Sequence, residues 1–554
     1  MQIQPQLFTI QQFLDGRLFR IPQYQRAYAW ETRQRKDLIK DIKRVGTTGE
    51  DHFMATVVCL ERKKEIKHIG ADRFAVMEIV DGQQRLTTLI ILLKAIHKAL
   101  NPKRKDEQRI ETELARLLVK NDDHTLLLLQ TNHDISGIFA DYIRDGTISK
   151  SETTVAADQN ILDAIHDCEE FVETWKTSNS LVDLTAIIRH KLWAVFHIVD
   201  DEGLVYRVFE VLNSRGLEVA SLDKLKSQLM GMVFEQDKHA DYHDALKELH
   251  DIWTNIYRII GKQRYSIESL RFAATLKAPE EASHKRPLSE DAALETLGHS
   301  AGKKPKSIIK CAKWLQTVVE AEDRLLSHHR WRAVTRILQA RLVAIAILIR
   351  DFGNDEGRLL SLWERITFRI YGLGGGDKRT KVGEYTRLAW EIVNERLDVA
   401  TVELRLKQLG ADYSNMQILE NPEQRYHGWT EEFRYLMYRY EEYLARKSGQ
   451  KLNESQWNRI WITEPAKSIE HIKPQSSGVA YRHHLGNLMM LPPGVNSSLQ
   501  DLDPAKKQEK YRASGLLSSI EVADRIKDNH GWSKTLTKER ATKLIAWARR
   551  EWAD

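Results

Sequence analysis

The sequence predicts a multidomain α+β protein, and three features carry this prediction. At 554 residues the chain is too long for one hydrophobic core, so two or three domains are expected. Near the N-terminus an apolar run enters an Asp-Gly turn and then a helical pattern. The middle consists of long amphipathic segments, and a short alternating segment at 468–472 predicts a strand close to the C-terminus.

The N-terminal region has a strand, a tight turn and a helix in direct succession, with the sequence VMEIVDGQQRLTTL at 76–89. A polar turn at a helix N-terminus presents free backbone N–H groups to an anion. Arg85 adds a planar fork suited to phosphate, and Asp81 is placed to bind a cation or a water molecule. Many inert junctions have the same succession, and the chain contains no Walker A sequence. The residues alone therefore indicate no more than a candidate phosphate site.

The middle of the chain is predicted to be mainly helical. Apolar residues recur at three- and four-residue intervals in 313–322, 331–350 and 430–446, with charged residues on the opposite face. Three prolines among polar residues predict that 278–306 is an exposed connection. No chemistry can be assigned to this part of the chain from its residues.

Near the C-terminus the residue types needed for cutting a phosphodiester stand close together. Residues 468–475 have the sequence SIEHIKPQ, residues 484–491 have the sequence HLGNLMML, and Asn496 follows. His471 can take a proton from an attacking water, while Glu470 and one amide oxygen can hold a divalent cation against the phosphate. Hard oxygen ligands favour Mg²⁺ or Mn²⁺. On a strand, His471 would lie on the face opposite Glu470, which suits two different roles.

Two simpler interpretations were weighed against this one. His471 could be a packed histidine beside a surface glutamate, although the joint pattern disfavours that reading. A structural zinc is disfavoured because the only cysteines, Cys59, Cys168 and Cys311, are far apart and distant from the motif.

Basic residues around the motif are candidates for contacts with a DNA backbone. The predicted DNA-contacting residues are Lys473, Lys506 and Lys507. Residues 503–507 (DPAKK) predict a capped helix start with proline at the first helical position. For each lysine taken alone, a solvated helix face is an equally good explanation.

Together these motifs resemble the GmrSD and SspE type of phage-defence proteins. The C-terminal Glu-His, Gly-Asn-Leu and later Asn resemble an HNH (ββα-metal) endonuclease, in a variant with Asn496 at the position of the last histidine. The N-terminal resemblance rests on IPQYQRAYAW at 21–30, on the DGQQR turn, and on FEVLNSRGL at 209–217 followed by LDKL at 222–225. The resemblance implies a ParB/sulfiredoxin-like N-terminal domain at 1–230, a helical middle at 231–425 and an HNH nuclease domain at 426–554.

The resemblance also implies roles for individual residues. In the nuclease, His471 becomes the general base, Glu470 and Asn496 the metal ligands, and Asn487 the residue that steadies the histidine loop. In the N-terminal domain, Asp81 and Arg85 would act in hydrolysis of a nucleoside triphosphate. The residues implied in nucleotide binding are Gln25, Arg26, Asp81, Gly82, Gln83, Gln84, Arg85, Asn213 and Arg215. Tyr24, Tyr28 and Trp30 are better explained as packing residues.

The function implied by the resemblance is an NTP-dependent or NTP-regulated endonuclease that cuts double-stranded phage or modified DNA. The nucleotide could be GTP, ATP, UTP or CTP, and a homo-oligomer is compatible with the family. Two alternatives stay open: a DNA-binding regulatory NTPase with a vestigial nuclease, and a nuclease toxin acting on host nucleic acid.

Composition sets the remaining limits. The net charge of +6, from 84 basic and 78 acidic residues, is too mild to indicate nucleic-acid binding by itself. The chain has no apolar run of membrane-spanning length and no secretory signal, and its few scattered cysteines fit a reducing compartment. A cytoplasmic protein without a membrane partner is expected.

Overall fold

The structure is a computed structural model, and it describes residues 5–22, 25–69, 71–120, 126–131, 137–148, 156–199, 221–234, 242–262, 268–280 and 285–553. Two of the implied nucleotide-binding residues, Asn213 and Arg215, lie outside the described residues, and so does Tyr24.

The chain forms two compact units. The first comprises Met1–Ala274 and Ser289–Glu320, and the second comprises Thr275–Leu288 and Ala321–Asp554. The domain limits proposed at 230 and 425 fall inside these units and stay predictions.

The described strands, in chain order, are β1 Gln6–Thr9, β2 Arg17–Arg20, β3 His52–Ile69, β4 Asp72–Asp81, β5 Val119–Lys120, β6 Leu126–Leu127, β7 Leu129–Gln130, β8 Leu192–Val199, β9 Ile469–His471 and β10 Leu488–Met490. The described helices up to residue 326 are α1 Ile10–Leu14, α2 Thr32–Thr48, α3 Gln83–Ala99, α4 Lys105–Leu118, α5 Ile138–Asp145, α6 Ala156–Lys176, α7 Leu181–Ala186, α8 Ser221–Phe234, α9 Tyr242–Lys262, α10 Ser269–Lys277, α11 Glu290–Ala301 and α12 Pro305–Leu326. Those that follow are α13 Arg332–Thr335, α14 Leu338–Arg350, α15 Glu356–Thr367, α16 Val382–Asn394, α17 Val399–Gly410, α18 Thr430–Ser448, α19 Glu454–Trp461, α20 Pro465–Ser468, α21 Pro493–Ser497, α22 Pro504–Ala513, α23 Leu517–Asp528 and α24 Lys534–Glu551.

A mixed six-stranded sheet organises the first unit, in the order β1-β8-β3-β4-β2-β7. The pairs β2 with β4, β2 with β7 and β3 with β8 are parallel, whereas β3 with β4 and β1 with β8 are antiparallel. Among the described residues, the resulting protein is therefore α+β with a mixed sheet, as the sequence predicts. The specific ParB-like fold stays a prediction.

Helix α3 lies at the centre of the first core. Every residue from Leu86 to Ile96 is buried, so this helix is covered on all sides, as its nearly continuous apolar sequence requires. It packs against α6 and α4, and its core includes Val57, Met77 and Phe196 from the sheet. The predicted succession of strand, Asp-Gly turn and helix is confirmed, with β4 ending at Asp81 and α3 beginning at Gln83.

In the second unit, a small antiparallel hairpin is followed by helices. Strand β9 pairs with β10 so that His471 lies opposite Leu488 and Glu470 opposite Met489. The loop between the strands contains the short 3₁₀ turn Leu485–Asn487, and α21, α22 and α23 follow β10. Helix α22 starts at Pro504 and its N-cap residue Asp503 accepts a hydrogen bond from the N–H of Ala505, as the sequence predicts.

One expectation about the middle of the chain is wrong. Residues 278–306 do not form a wholly exposed connection, because they contain α11, whose residues Ala293, Leu297 and Ala301 are buried. These apolar residues recur every four positions, and Ser289 caps the helix by accepting from the N–H of Ala292. The surrounding prolines and charged residues obscured this short helical pattern.

Candidate functional site

Three of the C-terminal motif residues, Glu470, His471 and Asn496, line one cavity of about 200 Å³. Its wall consists of Ile469, Glu470, His471, Pro474, Gln475, Asn496, Gln500 and Asp501. The hairpin supplies Glu470 and His471, while Asn496 comes from α21. The structure thus brings together the predicted base and both predicted metal ligands, which are up to 26 positions apart in the sequence.

Glu470 is held by two donors from one face of α22. The ammonium of Lys507 lies 2.6 Å from Oε1, and the hydroxyl of Tyr511 donates to the same oxygen at 2.8 Å. Burial raises the pKa of Glu470, while the charge and hydrogen bond of Lys507 act against this rise and favour the carboxylate. Both donors bind Oε1, so Oε2 receives neither of these bonds.

The position of Lys507 corrects the prediction that it contacts DNA. Its side chain is 0% exposed, and its ammonium also donates to the backbone oxygens of His471 and Ile472. The reason is the helical period: Pro504, Lys507 and Tyr511 form the buried face of α22, whereas Lys506 lies on the exposed face. Lys506 therefore remains accessible to a phosphate. Lys473 is half-buried, with its ammonium 3.6 Å from Asp503.

The two predicted asparagines use their amides differently. Asn487 donates to the carbonyls of Lys473 and Arg482 and accepts from the N–H of Lys473, so its whole amide is engaged inside the loop between β9 and β10. Asn496 donates from Nδ2 to the carbonyls of Lys467 and Ile469. These two bonds fix the orientation of the Asn496 amide and leave Oδ1 as an acceptor at the cavity.

His471 is buried and lies in a cluster of rings. Its Nδ1 is 3.2 Å from the amide nitrogen of Gln475, and its Nε2 is 3.2 Å from Nδ1 of His483. The ring of Tyr426 lies at 4.7 Å from that of His471 and stacks on His483. Burial lowers the pKa of His471 to about 3, and the charge of His483 acts in the same direction. At neutral pH His471 therefore carries no charge and has a lone pair.

The hydrogen-bond pattern restricts which nitrogen of His471 carries the hydrogen. If Gln475 donates to Nδ1, then Nε2 is protonated and donates to His483. Arg482 also points its Nε–H at the other nitrogen of His483, at 3.3 Å. A neutral ring cannot accept at both nitrogens, so His483 accepts from only one of these donors at a time. In the state where His483 accepts from Nε2, the lone pair of His471 is on Nδ1, and the amide of Gln475 donates to it.

Sequence reasoning missed several residues of this site. Gln475, Gln500 and Asp501 lie on the cavity wall, and the hydroxyl of Ser476 donates to Asp501 at 2.5 Å. Tyr511 was missed as well, although it stands four positions after Lys507 on a helix. That spacing is the signal that could have identified both residues as partners of a single group.

The N-terminal motif residues meet a second set of charges. Asp81 caps its own turn by accepting from the N–H of Gly82 at 2.8 Å. Burial raises the pKa of its carboxyl, and the charge of Asp223 acts in the same direction, whereas the charges of Arg85 and Arg26 lower it. Arg26 lies 3.4 Å from Asp223, and the hydroxyl of Tyr257 donates to the same carboxylate. Gly82 has a φ of +89°, and a Cβ there would lie 2.9 Å from Val57, so the turn requires glycine.

The predicted glutamines of this region have different environments. Gln25 donates to the carbonyl of Val80, and Gln84 binds the backbone of Ala27 and Ala29, so both fix the 21–30 segment against the turn. Gln83 is buried beside a cavity of about 20 Å³, room for a water molecule, that Arg26 also lines, and its Oε1 has no hydrogen-bond partner among the described residues. Of these three side chains, Gln83 is the one with an acceptor left for a ligand.

Lys226 is a residue of this cluster that sequence reasoning missed. Its side chain is 2% exposed and lies over the ring of Tyr257, 5.6 Å from the ring centre. Burial lowers its pKa to about 8, against the opposite effect of Asp223. Asp223 and Lys226 stand three positions apart on the buried face of α8, whereas Lys224 is exposed. Two charged residues at the spacing of the apolar positions were the available signal.

Two properties of the described residues bear on cofactors and membranes. Within the described ranges no three His, Cys, Asp or Glu side chains converge in a way that could hold a metal. A cation at the C-terminal cavity would therefore rely on a carboxylate, an amide oxygen and water. None of the described helices has the length and apolarity needed to cross a membrane.

Comparison with known proteins gives the family. No curated protein matches the chain. Residues 10–230 match the family model described as the GmrSD restriction endonuclease N-terminal domain. Residues 414–547 match the model described as the GmrSD restriction endonucleases C-terminal domain. The two matches include both groups of motif residues, and the family implies a nuclease of phage defence with DNA as its substrate. Both matched models describe the same family, so the chain belongs to the GmrSD restriction endonuclease family.

Proposed function

We propose that the protein is a metal-dependent DNA endonuclease of the HNH type, and that a nucleoside triphosphate bound in the N-terminal unit regulates it. The observation that carries the nuclease assignment is the convergence of Glu470, His471 and Asn496 on one cavity. Carboxylate, imidazole and amide oxygen are the groups that phosphodiester hydrolysis needs.

His471 acts as the general base. Its depressed pKa keeps the ring neutral, and Nδ1 accepts a proton from a cavity water when the amide of Gln475 turns away from it. His483 holds the ring by accepting from Nε2, which keeps the lone pair on Nδ1. The ring of Tyr426 packs against His471 and restricts its rotation. His471 keeps the proton, the water oxygen bonds to phosphorus, and the bond from phosphorus to the leaving oxygen breaks. Glu470 and Asn496 would hold the cation beside that leaving oxygen.

The donors at the cavity suit Mg²⁺ or Mn²⁺. Oε2 of Glu470 and Oδ1 of Asn496 are hard oxygen atoms, and Mg²⁺ commonly takes one or two carboxylate ligands while retaining several waters. When bound, such a cation supplies positive charge for the phosphate and the leaving oxygen. The role of Asn487 is to hold the loop that carries Lys473 and Arg482, through its three backbone hydrogen bonds.

The test of this assignment separates metal binding from proton transfer. Plasmid cleavage is measured against Mn²⁺ concentration for Glu470→Gln, Asn496→Ala and His471→Ala. We expect added Mn²⁺ to restore part of the rate in the first two variants, because each lacks one ligand. His471→Ala should lose on the order of 10²–10⁴-fold in rate at every metal concentration. Equal rescue of all three variants would contradict the division of roles.

The nucleotide site is proposed at the DGQQR turn, where Asp81, Arg85 and Arg26 meet Asp223 and Lys226. The backbone N–H groups at the start of α3, together with three cationic side chains, form an environment for phosphate groups. Arg85 stacks its guanidinium at 5.9 Å from the ring centre of Trp30, which restricts its direction.

Binding of GTP, ATP, UTP and CTP to matched lysine variants tests this site. Lys226→Met removes the buried ammonium, whereas Lys224→Met changes an exposed lysine of the same helix. We expect nucleotide binding to weaken by 10-fold or more, on the order of a lost charged hydrogen bond, only in Lys226→Met. Equal nucleotide binding by both variants would remove Lys226 from the site.

Two other functions make different predictions in these assays. A regulatory NTPase with a vestigial nuclease would hydrolyse nucleotide and leave plasmid intact. A toxin acting on host nucleic acid would cleave modified and unmodified DNA alike and would act on the genome of its own cell. A restriction nuclease that senses modification must instead differ between modified and unmodified plasmids.

A further inference from the structure

We infer that Lys507 and Tyr511 are positioning residues that orient Glu470 for cation binding. The inference rests on the proposed function, because it concerns the same carboxylate. It assigns a role to two buried residues of α22 that contact neither substrate nor the reacting atoms.

The supporting observation is that both donors bind the same oxygen of the Glu470 carboxylate. Lys507 at 2.6 Å and Tyr511 at 2.8 Å both bind Oε1 of Glu470. A glutamate side chain has three rotatable bonds, and two donors on one oxygen fix the plane of its carboxylate. With Oε1 so occupied, Oε2 is the oxygen that remains for a cation at the cavity.

The helix explains why two residues can do this together. Lys507 and Tyr511 are four positions apart, so their side chains leave the same face of α22 one turn apart. That face packs on the hairpin, and the ammonium of Lys507 also donates to the backbone oxygens of His471 and Ile472. The same ammonium therefore ties the carboxylate to the strand that carries the base.

Lys507 is also the buried counter-charge of this carboxylate, since its side chain is 0% exposed and that of Glu470 is 6% exposed. Its ammonium, 2.6 Å from Oε1, holds the carboxylate in place before a cation arrives. Partners in the second layer of a metal site commonly act in this way, and their loss weakens metal binding or activity.

The test compares two tyrosines with the same chemistry. Tyr511 and Tyr440 are both buried, and each hydroxyl binds a glutamate: Tyr511 binds Glu470, and Tyr440 binds Glu521 at 2.9 Å. Tyr511→Phe and Tyr440→Phe each remove one hydroxyl and no charge. Mn²⁺ binding to the full chain is followed by loss of the free-ion paramagnetic resonance signal, and thermal unfolding is recorded for each variant.

We expect Tyr511→Phe to weaken Mn²⁺ binding by on the order of 10-fold, and Tyr440→Phe to bind Mn²⁺ like the wild type. Their melting temperatures should fall by similar amounts. Lys507→Met should weaken Mn²⁺ binding further. It also leaves the buried Glu470 carboxylate without its ion-pair partner and can unfold the chain, so the test relies on the two tyrosine variants. If Tyr511→Phe binds Mn²⁺ as the wild type does, the inference is wrong.

A third variant separates this inference from the proposed function. Glu470→Gln should lose most of the Mn²⁺ bound at the cavity. If Glu470→Gln weakens binding and Tyr511→Phe does not, only the positioning role fails. If Glu470→Gln itself binds Mn²⁺ like the wild type, the proposed metal site fails and the positioning role fails with it.

Discussion

At the scale of residues, the two asparagines of the proposed nuclease site differ in what their loss should do. Asn487 is completely buried and makes three hydrogen bonds to the loop, whereas Asn496 is half-buried and makes two. One therefore holds the loop together, and the other presents an oxygen to the cavity.

Asn487→Ala should consequently be a stability variant and Asn496→Ala an activity variant. Loss of Asn487 leaves a buried N–H and two carbonyls without partners, which we expect to lower the free energy of unfolding by about 3 kcal/mol or more. Asn496→Ala should lose about 1 kcal/mol or less. Urea unfolding and cleavage rates, measured on the same preparations, check this. Equal stability losses would contradict the different roles.

The buried histidine predicts a dependence of stability on pH. The pKa of His471 is about 3 in the folded protein, below the usual value of about 6.5 expected in the unfolded chain. As pH falls from about 6.5 towards 3, the unfolded chain takes up a proton that the folded chain does not. Folding is therefore destabilised on acidification, by up to about 1.4 kcal/mol per pH unit from this residue.

The variant His471→Gln isolates this contribution. Urea unfolding of both proteins at pH 7 and pH 5, in the absence of divalent metal, gives the difference. We expect the wild type to lose more stability than the variant over this range, because the other histidines contribute equally to both. Parallel losses would mean that His471 is not held in its neutral form.

The residue scale also marks a limit of sequence reasoning. The hairpin residues could be found because Glu470 and His471 are adjacent in a recognisable motif. Lys507 was misassigned because its helix is rich in lysine, and only packing decides which lysine faces inward. Gln25 and Gln84 were assigned to nucleotide because their motif suggests it, while the structure gives their amides backbone partners.

At the scale of elements, the hairpin of β9 and β10 depends on a close contact with α24. A Cβ at Gly486 would lie 1.9 Å from the carbonyl oxygen of Thr537, and Arg540 donates to the carbonyls of Gly486 and Leu488. The glycine is needed so that helix and hairpin can approach, which explains why Gly-Asn-Leu stands at this place in the sequence.

Gly486→Ala should therefore destabilise the second unit, and Gly494→Ala is its control. Overpacking of a filled site typically costs about 1–3 kcal/mol, and here the clash is with backbone, so we expect the upper end of that range or more. A Cβ at Gly494 would meet no atom within 4 Å, and this variant should unfold like the wild type. Thermal unfolding distinguishes the two. A neutral Gly486→Ala would contradict the packing of α24 on the hairpin.

Helices and strands marked by apolar periodicity and capping residues could be predicted from the sequence. Element bounds that depend on tertiary packing could not. The strand and helix around the DGQQR turn, the long α18 and the start of α22 all follow from period and capping residues. The pattern at 331–350 predicted one helix, but α13 ends at Thr335 and α14 begins at Leu338. Buried Arg341 donates to the carbonyl of Thr335 at this break. The spacing of apolar residues in the sequence cannot predict such a contact.

At the scale of the whole molecule, we propose that nucleotide bound in the first unit regulates DNA cleavage by the second. The two groups of motif residues belong to different compact units, and coupling between them requires a two-state arrangement that nucleotide or DNA can bias. Arg85→Ala should abolish nucleotide hydrolysis and, if the units are coupled, also change plasmid cleavage. Unchanged cleavage together with lost hydrolysis would indicate two independent activities.

The most direct test of the central claim is plasmid cleavage by the full chain with Mg²⁺, with and without each nucleoside triphosphate. Wild type, His471→Ala and His484→Asn are compared, since His484 is a buried histidine that accepts from the N–H of Gly486 and does not line the cavity. We expect the wild type and His484→Asn to convert supercoiled plasmid to nicked or linear forms and His471→Ala to leave it supercoiled. Cleavage by His471→Ala at the wild-type rate would contradict this expectation.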